Sequence, residues 1–170
     1  MRKTLFVPAV SALALLAATA AQAATFSPEA TAFMRFRGSV DIFDGNLNLN
    51  CDMELEIRTT FKDMNGDNQA YVDSASLSGG LCNLVSFGSF PYEIRVTRPS
   101  WSPTPTPATG LEIRGLRLTN VFGNTCWGDV RVDWWDSAPY MTFMNAYVPG
   151  GCTINGTLSQ TGGFSLSITN

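Results

Sequence analysis

The sequence predicts an all-β fold, an antiparallel β-sandwich or barrel of about ten short strands held by two disulfides. Three observations carry this. Apolar and polar residues alternate with period two along most of the chain, and helical periodicity is scarce. Gly, Asn, Asp and Pro divide the alternating runs into short pieces. Four cysteines (Cys51, Cys82, Cys126 and Cys152) stand in a chain without a single His.

The cysteines read as disulfides because of the compartment the N-terminus implies. Arg2 and Lys3 precede an apolar run from Leu5 to Ala18, and Ala21-Gln22-Ala23 has the small-x-small form of a cleavage site. Residues 1–23 are therefore read as a signal peptide, and the protein as secreted or periplasmic. An even cysteine count in an exported chain points to bridges. Zinc needs close cysteine pairs or His ligands, and neither occurs. Without Arg2 and Lys3 the balance is 9 basic against 14 acidic residues, a net charge of −5. A mildly acidic chain without a basic cluster argues against nucleic-acid binding. No later stretch is apolar enough for a transmembrane helix.

The elements follow in order. Phe33 to Phe43 alternates, and so does Leu47 to Ile57, with Leu47, Leu49, Cys51, Met53, Leu55 and Ile57 on one face. Asp44-Gly45 between them is a two-residue hairpin signal. That register pairs Phe43 with Asn46, Arg37 with Asp52 and Arg35 with Glu54, both opposite-charge pairs. Strands are next expected at 69–78, 82–87 and 92–98, with Tyr92, Ile94 and Val96 inward. Pro99, Pro103, Pro105 and Pro107 make 99–110 an extended exposed loop that holds Trp101. Further strands are expected at 111–121, 127–135, 140–148, 152–159 and 163–169, with Asn155-Gly156 and Gly162-Gly163 as turns.

Residues 24–170 are enough for one all-β domain with its own core. A weak internal echo divides it. Strand, Gly-containing turn, Cys strand, turn, strand, Gly-Gly and Cys recur, which implies two similar five-strand units at about 30–98 and 110–170 joined by the Pro-rich loop. Four cysteines allow three connectivities. The echo favours Cys51–Cys82 and Cys126–Cys152, each closing a loop that stabilises by roughly 3–4 kcal/mol in the chain-entropy treatment.

Little in the chain suits catalysis. Without His, the usual triads and His metal sites are excluded. Asp129, Asp133 and Asp136 flank Trp134-Trp135, and paired carboxylates beside aromatics suit glycoside hydrolysis. Asp129, Arg131, Asp133 and Trp135 nonetheless share one parity, which reads better as a solvated strand face. Asp63-x-Asn65-x-Asp67 opens like a calcium loop, but its Gly comes one place early and Ser74 stands where Glu is needed. Asn155-Gly156-Thr157 fits the glycosylation pattern, and a turn explains it equally well. The expectation is no enzyme, no cofactor and no metal.

The aromatic residues are more informative. Of Trp101, Trp127, Trp134, Trp135, Tyr140 and Tyr147, parity turns Trp134 inward and Trp135 outward. Trp101, Trp135 and Tyr140 are the candidate contacts to an apolar phase or a sugar.

Several motifs resemble the activator-of-alkane-oxidation family of small secreted bacterial proteins. They are Phe26-Ser27-Pro28, Asn50-Cys51, Ala75-Ser76-Leu77-Ser78-Gly79-Gly80-Leu81-Cys82, Phe90-Pro91-Tyr92 and Gly150-Gly151-Cys152-Thr153-Ile154-Asn155-Gly156-Thr157-Leu158. Their order and spacing carry the resemblance. It implies a non-enzymatic secreted protein that promotes growth on hydrocarbon, by contacting or dispersing the oil. The competing expectation is an adhesin, biofilm-matrix or carbohydrate-binding module, with glycans or self-association through strand edges as the partner.

Overall fold

A computed structural model describes residues 24–30, 33–97 and 106–169. The predicted signal peptide, Trp101 and most of the Pro-rich loop lie outside the described residues. The chain folds as an antiparallel barrel. Eight strands close it: β2 (Met34–Phe43), β3 (Asn48–Thr59), β4 (Ala70–Ser78), β6 (Tyr92–Val96), β7 (Gly110–Asn120), β8 (Thr125–Trp135), β9 (Tyr140–Val148) and β10 (Cys152–Gly162). Their order is β7-β6-β4-β3-β2-β10-β9-β8, and β8 pairs back onto β7. Three short strands are added: β1 (Thr25–Ser27), β5 (Val85–Phe87) and β11 (Ser167–Thr169).

The period-two face of each strand fills the interior. Met34, Phe36, Met53, Ile57, Val130, Phe143 and Leu158 are fully buried, as an eight-stranded barrel just wide enough for side chains requires. The register shifts at four places, on the β2–β10, β3–β4, β7–β8 and β9–β10 ladders, and resets the alternation. Between Ile113 and Leu116 the β7–β8 register shifts at Gly115, whose φ is +67°, and Asp129 accepts the Gly115 N–H at 2.9 Å. On β9 the shift falls at Met144-Asn145, two residues that stand opposite the single Asn155.

Several sequence expectations are corrected. The β2–β3 turn spans four residues rather than two, because the Asp44 carboxylate accepts the N–H groups of Asn46 and Leu47 at 2.9 and 2.7 Å. Arg37 therefore faces Glu54, and Arg35 faces Glu56. The slip is even, so the inward set is unchanged. Arg35 still bonds a carboxylate, Glu56 at 3.0 Å, and Arg37 reaches Asp52 diagonally at 3.7 Å. Asn155-Gly156 is no turn but lies inside β10. Gly156 sits at φ +146° where β2 comes so close that a Cβ would stand 2.5 Å from the Ser39 carbonyl. Residues 82–87 begin as a 3₁₀ turn, Cys82–Leu84, before β5. The last strand shrinks to β11 because β10 runs on to Gly162. β1 was not foreseen. Nor is 106–110 an exposed loop: Ala108 is buried and donates to Ile168 O at 2.8 Å, and Pro107 bridges to Thr169.

β1 and β11 pair with each other across one end of the barrel, Phe26 opposite Ile168, and bury both side chains there. The opposite end carries the disulfides, Cys51–Cys82 and Cys126–Cys152, in the pairing the echo favours. Each spans a thinly laddered joint. β4 pairs β6 only over Ala70–Val72, and the Cys51 bridge ties β3 to the turn that leads into β5. β8 pairs β9 only over Asp133–Trp135, and the Cys126 bridge ties β8 to the first residue of β10.

Candidate functional site

The run Trp134-Trp135-Asp136 ends β8 and points three ways. Trp134 turns inward, fully buried, with its ring 5.9 Å from that of Phe36. Asp136 latches the capped end. Its Oδ1 accepts the Ile168 N–H at 2.7 Å and the Trp134 indole N–H at 3.3 Å, and its Oδ2 accepts the Ser167 hydroxyl at 2.9 Å. Trp135 turns outward and is 53% exposed.

β9 begins opposite, so Trp135 and Tyr140 are directly paired across the strands. Their rings stack at 5.6 Å between centroids with 22° between planes. Two of the three expected contact residues thus form one stack, exposed Trp135 on half-buried Tyr140, and Trp101 lies outside the described residues. Beside Tyr140 runs an open groove of about 470 Å³, lined by Pro139, Ser159, Gln160, Thr161 and Ser165 among others. Gln160 shapes it. Its side chain donates to the carbonyls of Gly162 and Phe164 and accepts the Leu166 N–H at 2.9 Å, and its own N–H bonds Pro139 O at 2.9 Å.

The other candidates have structural duties. Asp129 bonds the β7 bulge and lies 3.6 Å from Arg114. Asp136 has both oxygens engaged. Asp63 receives the N–H groups of Asp67 and Asn65 at 3.0 and 2.8 Å, bonds that hold its carboxyl below its ordinary value, so the calcium-like spacing builds a turn. Among the described residues, no group of three or more Cys, Asp or Glu is placed to hold a metal. No helix there is long and apolar enough to cross a membrane.

Parity identified Trp135 but not the other exposed apolar side chains. Phe33, Phe61, Met64 and Phe164 lie around the capped end, and Phe43, Leu81, Val121 and Phe122 around the disulfide end. Trp127, Met144 and Tyr147 project from the barrel wall.

The fold and its surface define a class: a small, disulfide-braced β-barrel with large apolar side chains facing solvent. A family described as alkane oxidation protein activator, PraA/PraB-like, matches residues 1–168. The chain belongs to that family. Searches of curated proteins and of solved structures found no match.

Proposed function

We propose that this is an exported, non-enzymatic protein that promotes alkane use by contacting or dispersing an apolar phase outside the cell. The family's description supplies the alkane link. The observation that carries the contact is the display of large apolar side chains to solvent on a braced scaffold, Trp135, Leu81, Val121 and Phe122 among them. Covering apolar area stabilises by roughly 25 cal/mol per Å², so a few large side chains suffice for reversible adsorption. Two disulfides fit an extracellular or periplasmic setting. The pure protein should lower oil–water interfacial tension and emulsify hexadecane. An effect no larger than that of an unrelated exported β-protein ends the reading.

A second reading is a carbohydrate-binding or adhesive module. It is favoured by the Trp135–Tyr140 stack, because hydroxyl and amide groups of Ser159, Gln160 and Thr161 line the adjoining groove. Glycan binding that disappears in Trp135→Ala would select it over the first.

A further inference from the structure

Charge is distributed unevenly along this chain. No Asp, Glu, Lys or Arg occurs from Ser74 to Tyr92, from Leu118 to Gly128, or after Asp136. The fold brings part of each stretch to the disulfide end, while 137–140 and 163–169 lie at the capped end. The loops at the disulfide end are 44–47, 79–84, 121–124 and 149–151. Their single charged residue is Asp44, which is only 3% exposed and is bonded to Asn120 Nδ2 at 2.9 Å and to the turn's own N–H groups. Exposed there are Leu81 and Val121 at 60% and Phe122 at 67%, with Phe43 at the rim. β9 and β10 themselves carry no charged residue; Tyr147 and Trp127 are exposed below this end, and Met144 farther along beside Arg131 and Asp133.

The capped end differs. Phe61 and Met64 are exposed there among Lys62, Asp63 and Asp67. The ion pairs Arg58–Asp73, Arg114–Glu93 and Arg131–Glu112 mark the walls formed by β3, β4 and β6 to β8.

We propose that the disulfide end, centred on Leu81, Val121 and Phe122, is the face that meets the hydrocarbon surface; this rests on the hydrocarbon-contact reading above. A charged group brought against oil loses its hydration at high cost, and the loops of this end expose none. The exposed side chains sit on projecting turns, while two of the best-formed grooves lie elsewhere, at 138–165 and around Arg131 and Met144. Projecting turns suit a flat, deformable phase, whereas a small ligand needs a concave site. The charged residues nearest this end, Asp41, Asp52 and Arg117, stand on the strand walls, so the turn tips meet an approaching surface with apolar side chains alone. The occupant is therefore the oil–water surface itself.

The test is depletion of the mature protein from solution by hexadecane droplets. Leu81→Ser/Val121→Ser/Phe122→Ser and the single Phe122→Lys should adsorb about tenfold or more weakly than the parent, while Phe61→Ser/Met64→Ser adsorbs as the parent does. Circular dichroism and disulfide mapping select variants that keep the fold. Parent-like adsorption by both disulfide-end variants overturns this assignment and leaves the hydrocarbon reading standing. So does a loss confined to Phe61→Ser/Met64→Ser. A parent that does not adsorb at all ends both. A parent that sediments as a dimer and becomes monomeric in Phe122→Lys overturns the assignment in favour of a second copy.

Discussion

At the scale of single residues, Asp44 and Asn120 do comparable work in two distant turns and then bond each other. Asn120 Oδ1 accepts the N–H groups of Phe122 and Asn124 at 3.0 Å, as Asp44 does for Asn46 and Leu47. Burial alone would raise the Asp44 carboxyl, but the bonds from Leu47, Asn120 and Asn46 together outweigh it and hold the group below its ordinary value. A depressed carboxylate stabilises the fold at pH above the unfolded-state value, and that stability is lost as pH falls through the folded-state value. Stability should therefore decline below about pH 4, and an Asp44→Asn variant should lose part of that decline. Urea unfolding across pH 2–6 measures this. Asp44→Ala should cost about 1–3 kcal/mol at neutral pH, since it strands the buried Asn120 amide and removes two half-buried turn bonds. Gly38 makes a second test. A Cβ there would stand 2.0 Å from the Thr157 carbonyl, so Gly38→Ala should destabilise by about 2–4 kcal/mol, whereas Gly88→Ala meets nothing within 4 Å and should change little.

At the scale of elements, the inward faces of the strands were legible in the sequence, and the reason is period two. Leu49, Cys51, Met53, Leu55 and Ile57 are all buried as their spacing demands, and even a two-residue error in the hairpin register leaves that face intact. Turn length was less legible, because a side chain such as Asp44 lengthens a turn without changing its Asp-Gly signature. Bulges were not legible either. Gly115 resembles any other glycine until Asp129 bonds it from the next strand. Trp135 and Tyr140 were each readable, one by parity and one by composition. Their stacking depends on a β8–β9 register that only the folded chain supplies. The disulfide end was hidden for a related reason: its uncharged stretches are visible one by one, but four separate loops must meet before they make a surface. The bridges carry a prediction at this scale. Each spans a joint laddered over three residue pairs. Cys51→Ser/Cys82→Ser and Cys126→Ser/Cys152→Ser should each cost roughly 3–4 kcal/mol. Hydrogen exchange should rise first along Asp73–Ser78 in the former and Phe143–Val148 in the latter, and uniform exchange along the barrel would contradict this.

At the scale of the whole molecule, the single sheet draws on strands from before and after the Pro-rich loop. We propose that 30–98 and 110–170 are nonetheless two similar five-strand units. The matched Asx turns at Asp44 and Asn120 support this, as does the placing of one bridge in each half. Surface ion pairs contribute little net stability, so the barrel relies on its interior, its capped end and its two cross-braces. The same braces bear on behaviour at oil. Many proteins spread on meeting a hydrocarbon, unfolding into a skin that does not come off. On the proposed reading, a closed barrel pinned at both thin joints would keep its shape there and land as an intact nanometre-sized grain. Grains of that kind would keep droplets from coalescing by standing between them, and would lift off when the oil is consumed.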